Sequence, residues 1–226
     1  MTFAVLFDVD GVLADSLPAH LETCEMLSAL YGLGLQIPGA EAFRMLVRSG
    51  VPISPMQKFF EAVGFPPAYA ARADVEYEAS FASRFSPCPF PGVSEMLREL
   101  HAAGVELGIV SSNTLANVQK ALGSLGEMFL PRRIYTRDHA LHRTKTDALR
   151  ALVGELDLPN ERIFYVGDQP SDAVAARAVG LPFIGATYGW GIGPDDGERV
   201  GAWRLVHRPE SIAVELQGAW ALSVET

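Results

Sequence analysis

Residues 3–13 read FAVLFDVDGVL, a short apolar run that ends in two acidic residues and a glycine. Alternate side chains of an extended strand point the same way, so Asp8 and Asp10 lie on one side. Two like charges at this spacing need a cation, or a proton on one of them. The alternative is a strand-end turn in which an aspartate caps the following loop. The segment therefore predicts a buried strand that ends in either an acidic site or a capped turn.

Similar apolar runs recur along the chain, and segments with helical spacing separate them. The apolar runs are 3–7, 105–110, 134–135, 163–166, 182–184 and 204–206. The helical patterns are 115–125, 147–156, 172–179 and 210–216. Alternating strands and helices are typical of βαβ units, and nearly continuous apolar strands indicate a sheet covered on both faces. We therefore predict an α/β fold with a doubly wound parallel sheet, a Rossmann-like core.

One segment breaks this rhythm, because residues 14–89 show no convincing strand. Helical patterns occur near 17–31, 40–48, 54–63 and 68–85, with proline and glycine clusters between them. We predict a catalytic core formed by residues 1–14 and 90–226, and a helical cap formed by residues 15–89. An insertion directly after the first strand lies at the carboxyl edge of the sheet, where open α/β sheets bind ligands. The cap is therefore placed to act as a lid.

Composition excludes several classes of protein. The 226 residues carry 18 basic and 27 acidic side chains, a net charge of −9, so we expect no nucleic acid partner. The longest uncharged run, 178–194, is interrupted by glycine and proline and is shorter than the roughly 20 residues of a membrane span. The first residues, 1–7, lack the basic segment with which a secretory signal peptide begins. Two cysteines, Cys24 and Cys88, suit a reduced compartment, and we expect a cytoplasmic protein without a membrane partner.

A second acidic pair follows another apolar strand. In IFYVGDQPSD, residues 163–172, Asp168 ends the strand and Asp172 follows four positions later. Because parallel strands end at the same edge of a sheet, these carboxylates can join those of the first strand. Several carboxylate oxygens together are a ligand set that suits Mg²⁺. The alternative for Asp172 is an N-cap for the helix that follows.

A third strand ends in hydroxyl and amide side chains instead of carboxylates. Ser111, Ser112 and Asn113 come just before the helix that begins at Leu115. The amides of a helix N-terminus, together with a serine hydroxyl, form a site for phosphate. The alternative is ordinary N-capping by Ser112 or Asn113.

Lys145 stands at the start of a helical pattern, where the helix dipole disfavours a positive charge. Pairing with nearby carboxylates and a phosphate would explain this position, whereas the alternative is a solvated surface lysine. Arg143 is a competing candidate for the same role. His139 and His142 are too few and too loosely spaced for a metal site, so we interpret them as solvated loop residues.

In chain order, DxDGV, a hydrophobic strand ending in serine, a downstream lysine and GDxxxD resemble the four motifs of the haloacid dehalogenase-like hydrolase superfamily. The stretch Tyr188-Gly189-Trp190-Gly191 and the helical insertion resemble its phosphoglycolate phosphatase and β-phosphoglucomutase-like branch. The resemblance implies a Rossmann-like core with an inserted helical cap. It also implies that Asp8 is a nucleophile that forms an aspartyl-phosphate and that Asp10 is the general acid and base.

The remaining site residues follow from the same resemblance. The implied Mg²⁺ ligands are Asp8, the Asp10 backbone carbonyl, Asp168 and Asp172, the last directly or through water. Ser111 and Lys145 would stabilise the phosphoryl oxygens, and the other implied phosphate-binding or substrate-binding residues are Gly11, Ser112, Asn113 and, in the cap, Arg48. The alternative for Arg48 is a solvated arginine on a helix surface.

These observations predict a Mg²⁺-dependent phosphatase of a small phosphorylated metabolite, similar to phosphoglycolate phosphatase. One alternative is a phosphosugar mutase similar to β-phosphoglucomutase, which returns the phosphoryl group to substrate instead of water. Another is a non-enzymatic phosphate-binding module, against which Asp10 argues, since such a module has no use for an acid and base beside its phosphorylated aspartate. We expect a monomer or a homodimer.

Overall fold

The computed structural model describes residues 2–138 and 144–222 and divides the chain into two compact units. The core unit comprises Met1–Asp15 and Cys88–Thr226, and the helical unit comprises Ser16–Pro87. The two boundaries predicted from the sequence lie after residue 14 and before residue 90. The helical unit is therefore an insertion in the core unit, between β2 Ala14–Asp15 and β3 Cys88–Pro89.

The described strands are β1 Ala4–Phe7, β2 Ala14–Asp15, β3 Cys88–Pro89, β4 Glu106–Val110, β5 Ile134–Tyr135, β6 Ile163–Gly167, β7 Phe183–Ala186 and β8 Arg204–Val206. The described α-helices are α1 Leu17–Leu30, α2 Ala40–Arg48, α3 Met56–Ala62, α4 Pro67–Arg84, α5 Val93–Ala102, α6 Leu115–Leu122, α7 Lys145–Leu156, α8 Pro170–Val179, α9 Gly197–Val200 and α10 Glu210–Leu222. None of these helices is both long and apolar enough to cross a membrane.

Six strands form one sheet in the order β5-β4-β1-β6-β7-β8, and every neighbouring pair is parallel. The α/β fold predicted from the sequence is therefore confirmed. β1 lies at the centre, between β4 and β6, and the chain adds strands first on one side of it and then on the other. Such a reversal of strand order opens a crevice at the carboxyl ends of the central strands, where open α/β sheets bind ligands.

Helices cover both faces of the sheet because the central strands are apolar on both sides. Val5 and Phe7 of β1 belong to one buried cluster, which also contains side chains of α5, α6 and α10. Leu6, between them, points to the other face and belongs to a second cluster with side chains of α7 and α8. This two-sided burial is the packing expected for a parallel sheet, and it holds the end of β1 in place.

Several helix boundaries differ from the sequence prediction. α6 ends at Leu122, earlier than expected, because Gly123 follows with a positive φ and a 3-10 segment then runs to Met128. α8 begins at Pro170 instead of Asp172, since proline is accommodated in the first turn of a helix. α10 extends beyond the predicted end at residue 216.

The prediction of a strand-free segment between residues 14 and 89 is wrong at both ends. Ala14 pairs with Pro89 and Asp15 pairs with Cys88. The two segments that flank the helical unit in the chain therefore form a short antiparallel ribbon, β2 and β3. These two strands contain Asp15 and Pro89 instead of an apolar pair such as Ile134-Tyr135 of β5, so the sequence gives no strand signal there.

The helical unit consists of α1 to α4 and has an aromatic interior of its own. The ring of His20 in α1 stacks on Phe81 of α4 with 4.9 Å between centroids, and it also contacts Phe59 and Tyr77. Since His20 is buried, the unit encloses an aromatic cluster in which an imidazole replaces an apolar ring.

Replacement of a core valine tests this packing. Val5 of β1 is 0% exposed, and Val5→Ala is expected to lower the free energy of unfolding by about 2–3 kcal/mol through lost burial and a residual cavity. Val174 of α8 is 60% exposed, so the matched change Val174→Ala should alter the free energy of unfolding by less than about 0.5 kcal/mol. Urea denaturation followed by circular dichroism measures both, and equal losses would contradict the assignment of Val5 to the core.

Candidate active site

The carboxyl ends of β1 and β6 bring two of the sequence-predicted aspartates together. Phe7 pairs with Val166 in the parallel register, and the Asp8 backbone N–H continues the ladder by donating to the Val166 carbonyl at 2.9 Å. Asp8 and Asp168 then leave neighbouring strands at nearly the same level. Sheet register, rather than loop conformation, therefore places this pair.

A third carboxylate joins them from the first turn of α8. Oxygen atoms of Asp8, Asp168 and Asp172 all lie within 4.8 Å of one another, and all three residues are buried. The ammonium of Lys145, the first residue of α7, donates to Asp8 Oδ2 at 2.8 Å and to Asp172 Oδ1 at 2.6 Å. When all four groups are ionised, three negative charges against one positive leave a net charge of −2. A divalent cation would balance this cluster.

Asp168 shows where such a cation would bind. Its Oδ2 accepts hydrogen bonds from the Trp190 backbone N–H at 2.7 Å and from Gln169 Nε2 at 3.0 Å. Its Oδ1 is buried and has no hydrogen-bond partner within residues 2–138 and 144–222. A buried carboxylate oxygen without a donor is costly unless a cation or a proton occupies it. The oxygen-only donor set therefore fits a hard divalent cation such as Mg²⁺.

Two glycines allow the backbone to approach Asp168 from both sides. Gly11 has a φ of +78°, and a Cβ there would overlap the Asp168 carboxylate. A Cβ on Gly189 would overlap the Asp168 Cβ and the Gly11 carbonyl. The sequence interpretation of Gly11 as a phosphate-binding residue stays a prediction. Its observed contact is with Asp168.

Burial and mutual repulsion change the acidity of the cluster. Burial raises the pKa of Asp8 to about 7, with Asp172 and Asp10 adding to the increase and Lys145 opposing it. Burial, Asp172 and Asp8 raise the pKa of Asp168 well above its usual value. For Lys145, burial opposes the charge, but attraction to Asp172 and Asp8 outweighs it and raises the pKa. Lys145 thus remains charged, and the alternative of a solvated surface lysine is wrong, since its side chain is 16% exposed.

Asp172 connects the cluster to the start of α8. It is not the N-cap that the sequence offers as an alternative. The N-cap is Gln169, and Asp172 Oδ2 accepts from the Gln169 backbone N–H at 3.0 Å, while the Gln169 side chain accepts from the Asp172 backbone in a capping box. This reciprocal pair satisfies two donors of the helix N-terminus and fixes Asp172.

Sequence reasoning missed two side chains of the site. Gln169 bonds to both Asp168 and Asp172, and the pattern Gln-Pro-x-Asp before a helix is the signal that could have identified it. Tyr165 lies buried beneath the cluster, with its hydroxyl 3.5 Å from Asp172 Oδ1. In the sequence, Tyr165 is indistinguishable from the apolar residues of the strand around it.

The end of β4 differs from the predicted anion site. Ser111 is buried, and its hydroxyl accepts from the Asn113 backbone N–H at 3.1 Å, whereas Ser112 is exposed. Neither Ser112 nor Asn113 caps α6, because the N-cap is Thr114. The Leu115 backbone N–H donates to the Asp138 carboxylate at 3.1 and 3.2 Å. Protein groups thus already engage the first amides of α6, which leaves fewer of them for an anion than expected.

Asp10 and Arg48, two further predicted residues, are not members of the three-carboxylate group. Asp10 is half-buried, and its Oδ2 accepts from Asn113 Nδ2 at 2.9 Å. Arg48 is the last residue of α2 in the helical unit and is half-buried there. The competing candidate Arg143, together with His139 and His142, lies outside the described residues.

Comparison with known proteins gives a family match and several relatives. A family model described as haloacid dehalogenase-like hydrolase matches residues 5–186. A phosphoglycolate phosphatase of Xanthomonas campestris pv. campestris (strain 8004) is 31% identical over 218 residues, which cover 92% of this chain and 94% of the relative. The sequence similarity thus extends over both units of the chain.

Two solved structures share the fold. A haloacid dehalogenase-like hydrolase of Streptococcus pneumoniae superimposes with a TM-score of 0.74 at 21% identity, covering 95% of this chain and 98% of the other. A candidate β-phosphoglucomutase of Thermotoga maritima gives a TM-score of 0.68 at 22% identity, covering 96% and 99%. At this identity the two superpositions establish the architecture.

Asp168→Asn tests the cation site by a stability measurement. An asparagine oxygen can keep both bonds made by Oδ2, so the change removes charge with little loss of structure. We expect Mg²⁺ at 100 times its dissociation constant to stabilise the wild type by about 2.7 kcal/mol, and to leave Asp168→Asn unchanged. Thermal denaturation with EDTA and with Mg²⁺ measures this. Asp195→Asn, at an exposed position, is the matched control and should respond like the wild type.

The raised pKa values predict how the metal-free protein responds to pH. Between 3.8, the ordinary pKa of Asp8, and about 7, its pKa in the folded protein, the folded state binds more protons than the unfolded state. The free energy of unfolding therefore falls as pH rises through this window. The raised pKa of Asp168 adds to this pH dependence. In Asp168→Asn the free energy of unfolding should therefore fall less steeply as pH rises. Urea denaturation in EDTA checks this, and a steeper fall in the variant would contradict it.

Proposed function

The chain belongs to the haloacid dehalogenase-like hydrolase family, and from this premise we propose a Mg²⁺-dependent phosphatase that acts through an aspartyl-phosphate on Asp8. The reaction class is hydrolysis of a phosphoric monoester. One observation carries the proposal, namely the buried cluster in which Lys145 bonds to Asp8 and the Asp168 Oδ1 oxygen has no protein donor among the described residues. The cluster offers a nucleophile, a fixed positive charge and a cation ligand within one small volume.

The proposed substrate is a small phosphorylated metabolite of the 2-phosphoglycolate type. The Xanthomonas relative is a phosphoglycolate phosphatase, and its similarity covers nearly the whole of both chains. A second anionic group on such a substrate would require a cation, for which we propose Arg48 of the helical unit, since guanidinium binds carboxylates in a bidentate manner.

In the first step the Asp8 carboxylate attacks phosphorus in line with the leaving oxygen. The new bond joins an Asp8 oxygen to phosphorus, and the ester P–O bond breaks. Asp10 donates a proton to the leaving alkoxide, which departs as an alcohol. Lys145 bonds to Asp8 Oδ2 in the structure, so its charge lies where negative charge accumulates. The Ser111 hydroxyl would donate to a phosphoryl oxygen.

In the second step water attacks the aspartyl-phosphate. Asp10, now deprotonated, takes a proton from this water, the bond between the Asp8 oxygen and phosphorus breaks, and inorganic phosphate leaves. Both residues return to their initial states, so the cycle consumes one water molecule. Splitting one difficult displacement into two easier ones is the gain of covalent catalysis.

Mg²⁺ would be held by the Asp8 carboxylate, Asp168 and the Asp10 backbone carbonyl, and its contribution is to neutralise phosphoryl charge. Asp172 uses both of its oxygens within the protein, one for Lys145 and one for the Gln169 backbone. We therefore propose that Asp172 chiefly fixes Lys145 and reaches the cation through water. Ser112 and Asn113 remain proposed phosphate-binding residues of the same edge.

The setting we propose is the cytoplasm, with the protein as a monomer or homodimer. Cys24 and Cys88 are both free thiols, as expected in a reducing compartment.

Asp8→Asn tests the proposal directly. An amide does not attack phosphorus, so release of phosphate from 2-phosphoglycolate should fall by at least about 10³-fold, while the exposed-site control Asp195→Asn keeps full activity. The assay covers a panel of phosphomonoesters that also includes sugar phosphates and nucleotides, with Mg²⁺ and with EDTA. Activity retained in Asp8→Asn would exclude Asp8 as nucleophile.

Product analysis on the same panel separates the alternatives. A phosphatase releases inorganic phosphate, whereas a phosphosugar mutase yields an isomeric sugar phosphate. A phosphate-binding module would show neither product and would keep any phosphate on Asp8.

A further inference from the structure

Asp10 is held by a pair of asparagines that the proposed mechanism does not use. Asn113 Nδ2 donates to Asp10 Oδ2 at 2.9 Å, across 103 positions of sequence. Asn117, in the first turn of α6, donates from its Nδ2 to Asn113 Oδ1 at 2.6 Å. The side chains of Asn117, Asn113 and Asp10 therefore form one directed chain of hydrogen bonds.

The orientation of the Asn113 amide is fixed by its neighbours. The Thr114 backbone N–H, which can only donate, lies 2.9 Å from Asn113 Oδ1. The Asn117 amide supplies a second donor to the same oxygen. The oxygen end of the Asn113 amide is thus occupied by two donors, so its NH₂ end must face Asp10.

The backbone of Asn113 is held equally firmly. Its N–H donates to the Ser111 hydroxyl at 3.1 Å, and its carbonyl accepts from the Arg137 backbone N–H at 2.9 Å. Asn117 is 7% exposed and lies behind Asn113. The donor that meets Asp10 is therefore presented by a buried support, not by a mobile loop side chain.

We propose that Asn117, acting through Asn113, is a positioning residue that orients the Asp10 carboxyl for proton transfer to the leaving group. The inference rests on the proposed function, because it concerns the general acid of that reaction. The Asn113 amide binds Oδ2 and would thereby set the orientation of the whole Asp10 carboxyl group. Asn113, in the loop between β4 and α6, and Asn117 of α6 would then hold the acid that follows β1. This role differs from the phosphate contact that the family resemblance implies for Asn113.

The test compares two substrates whose leaving groups differ in their need for a proton. An alkyl phosphate such as 2-phosphoglycolate needs a proton on its leaving oxygen, whereas p-nitrophenolate leaves without one. The kcat/KM value covers the steps up to the first irreversible one, departure of the leaving group, so it is insensitive to the later attack of water. The ratio of kcat/KM for the two substrates therefore reports on the general acid separately from phosphate binding and from folding.

Asn117→Asp is the main variant. It keeps the side-chain volume and suits the first turn of a helix, but it replaces the donor that holds Asn113 Oδ1 with an acceptor. We expect kcat/KM for 2-phosphoglycolate to fall by about 10–100-fold and that for p-nitrophenyl phosphate to change by less than about threefold. Asn117→Ala, which removes the donor without adding charge, should give the same pattern and serves if Asn117→Asp does not fold.

The matched control is Asn160→Asp. Asn160 is half-buried and also donates a side-chain hydrogen bond, to the Val179 carbonyl at 2.9 Å, but it lies before the amino end of β6, away from the site. This variant should leave the ratio of the two kcat/KM values at its wild-type value. Equal losses for both substrates in the Asn117 variants, or no loss for either, would overturn the positioning role. A wild type that hydrolyses neither substrate overturns the proposed function itself, and this inference with it.

Discussion

Three carboxylates and one ammonium share a small buried volume at the carboxyl edge of the sheet, and their charges constrain everything around them. Burial and mutual repulsion disfavour ionisation of three aspartates so close together, and Lys145 opposes the resulting rise in the pKa of Asp8 and of Asp168. Lys145 bonds to two of the three aspartates, and this leaves Asp168 as the carboxylate with an oxygen open to a cation. The capping box of α8, the glycines beside Asp168 and the parallel register of β1 and β6 all keep this arrangement in place.

The same arrangement gives three residues of one type different surroundings, which suit the different roles proposed for them. Asp8 lies against the ammonium, which favours the ionised carboxylate that the proposed nucleophilic attack requires. Asp168 is held by the Trp190 backbone and by Gln169, and it keeps one oxygen for a cation. Asp10 lies outside the cluster and is bonded to a neutral amide, a setting suited to a group that gains and loses a proton. Environment, and not residue type, would separate the three proposed functions.

Sequence patterns predicted the six strands of the large sheet because each contains an apolar run, including the two-residue β5 Ile134–Tyr135. They failed where the signal was weak or non-local. The ribbon of Ala14–Asp15 with Cys88–Pro89 has two residues a side, and the early end of α6 depends on the backbone conformation at Gly123. The anion site expected at α6 is partly occupied by Asp138, a residue of a different segment that no local pattern could associate with it.

The sequence by itself determined the α/β architecture and the carboxylates of β1 and β6. Strand-end residues in a parallel sheet meet at one edge, and periodicity and spacing therefore suffice to predict them. Tertiary structure alone decided which side chains touch. It placed Lys145 between Asp8 and Asp172, set the Trp190 backbone N–H on Asp168, and joined Asn113 to Asp10 across 103 positions. Such contacts depend on the directions in which separate loops and helices leave the sheet, which packing of the whole unit fixes and local sequence does not encode.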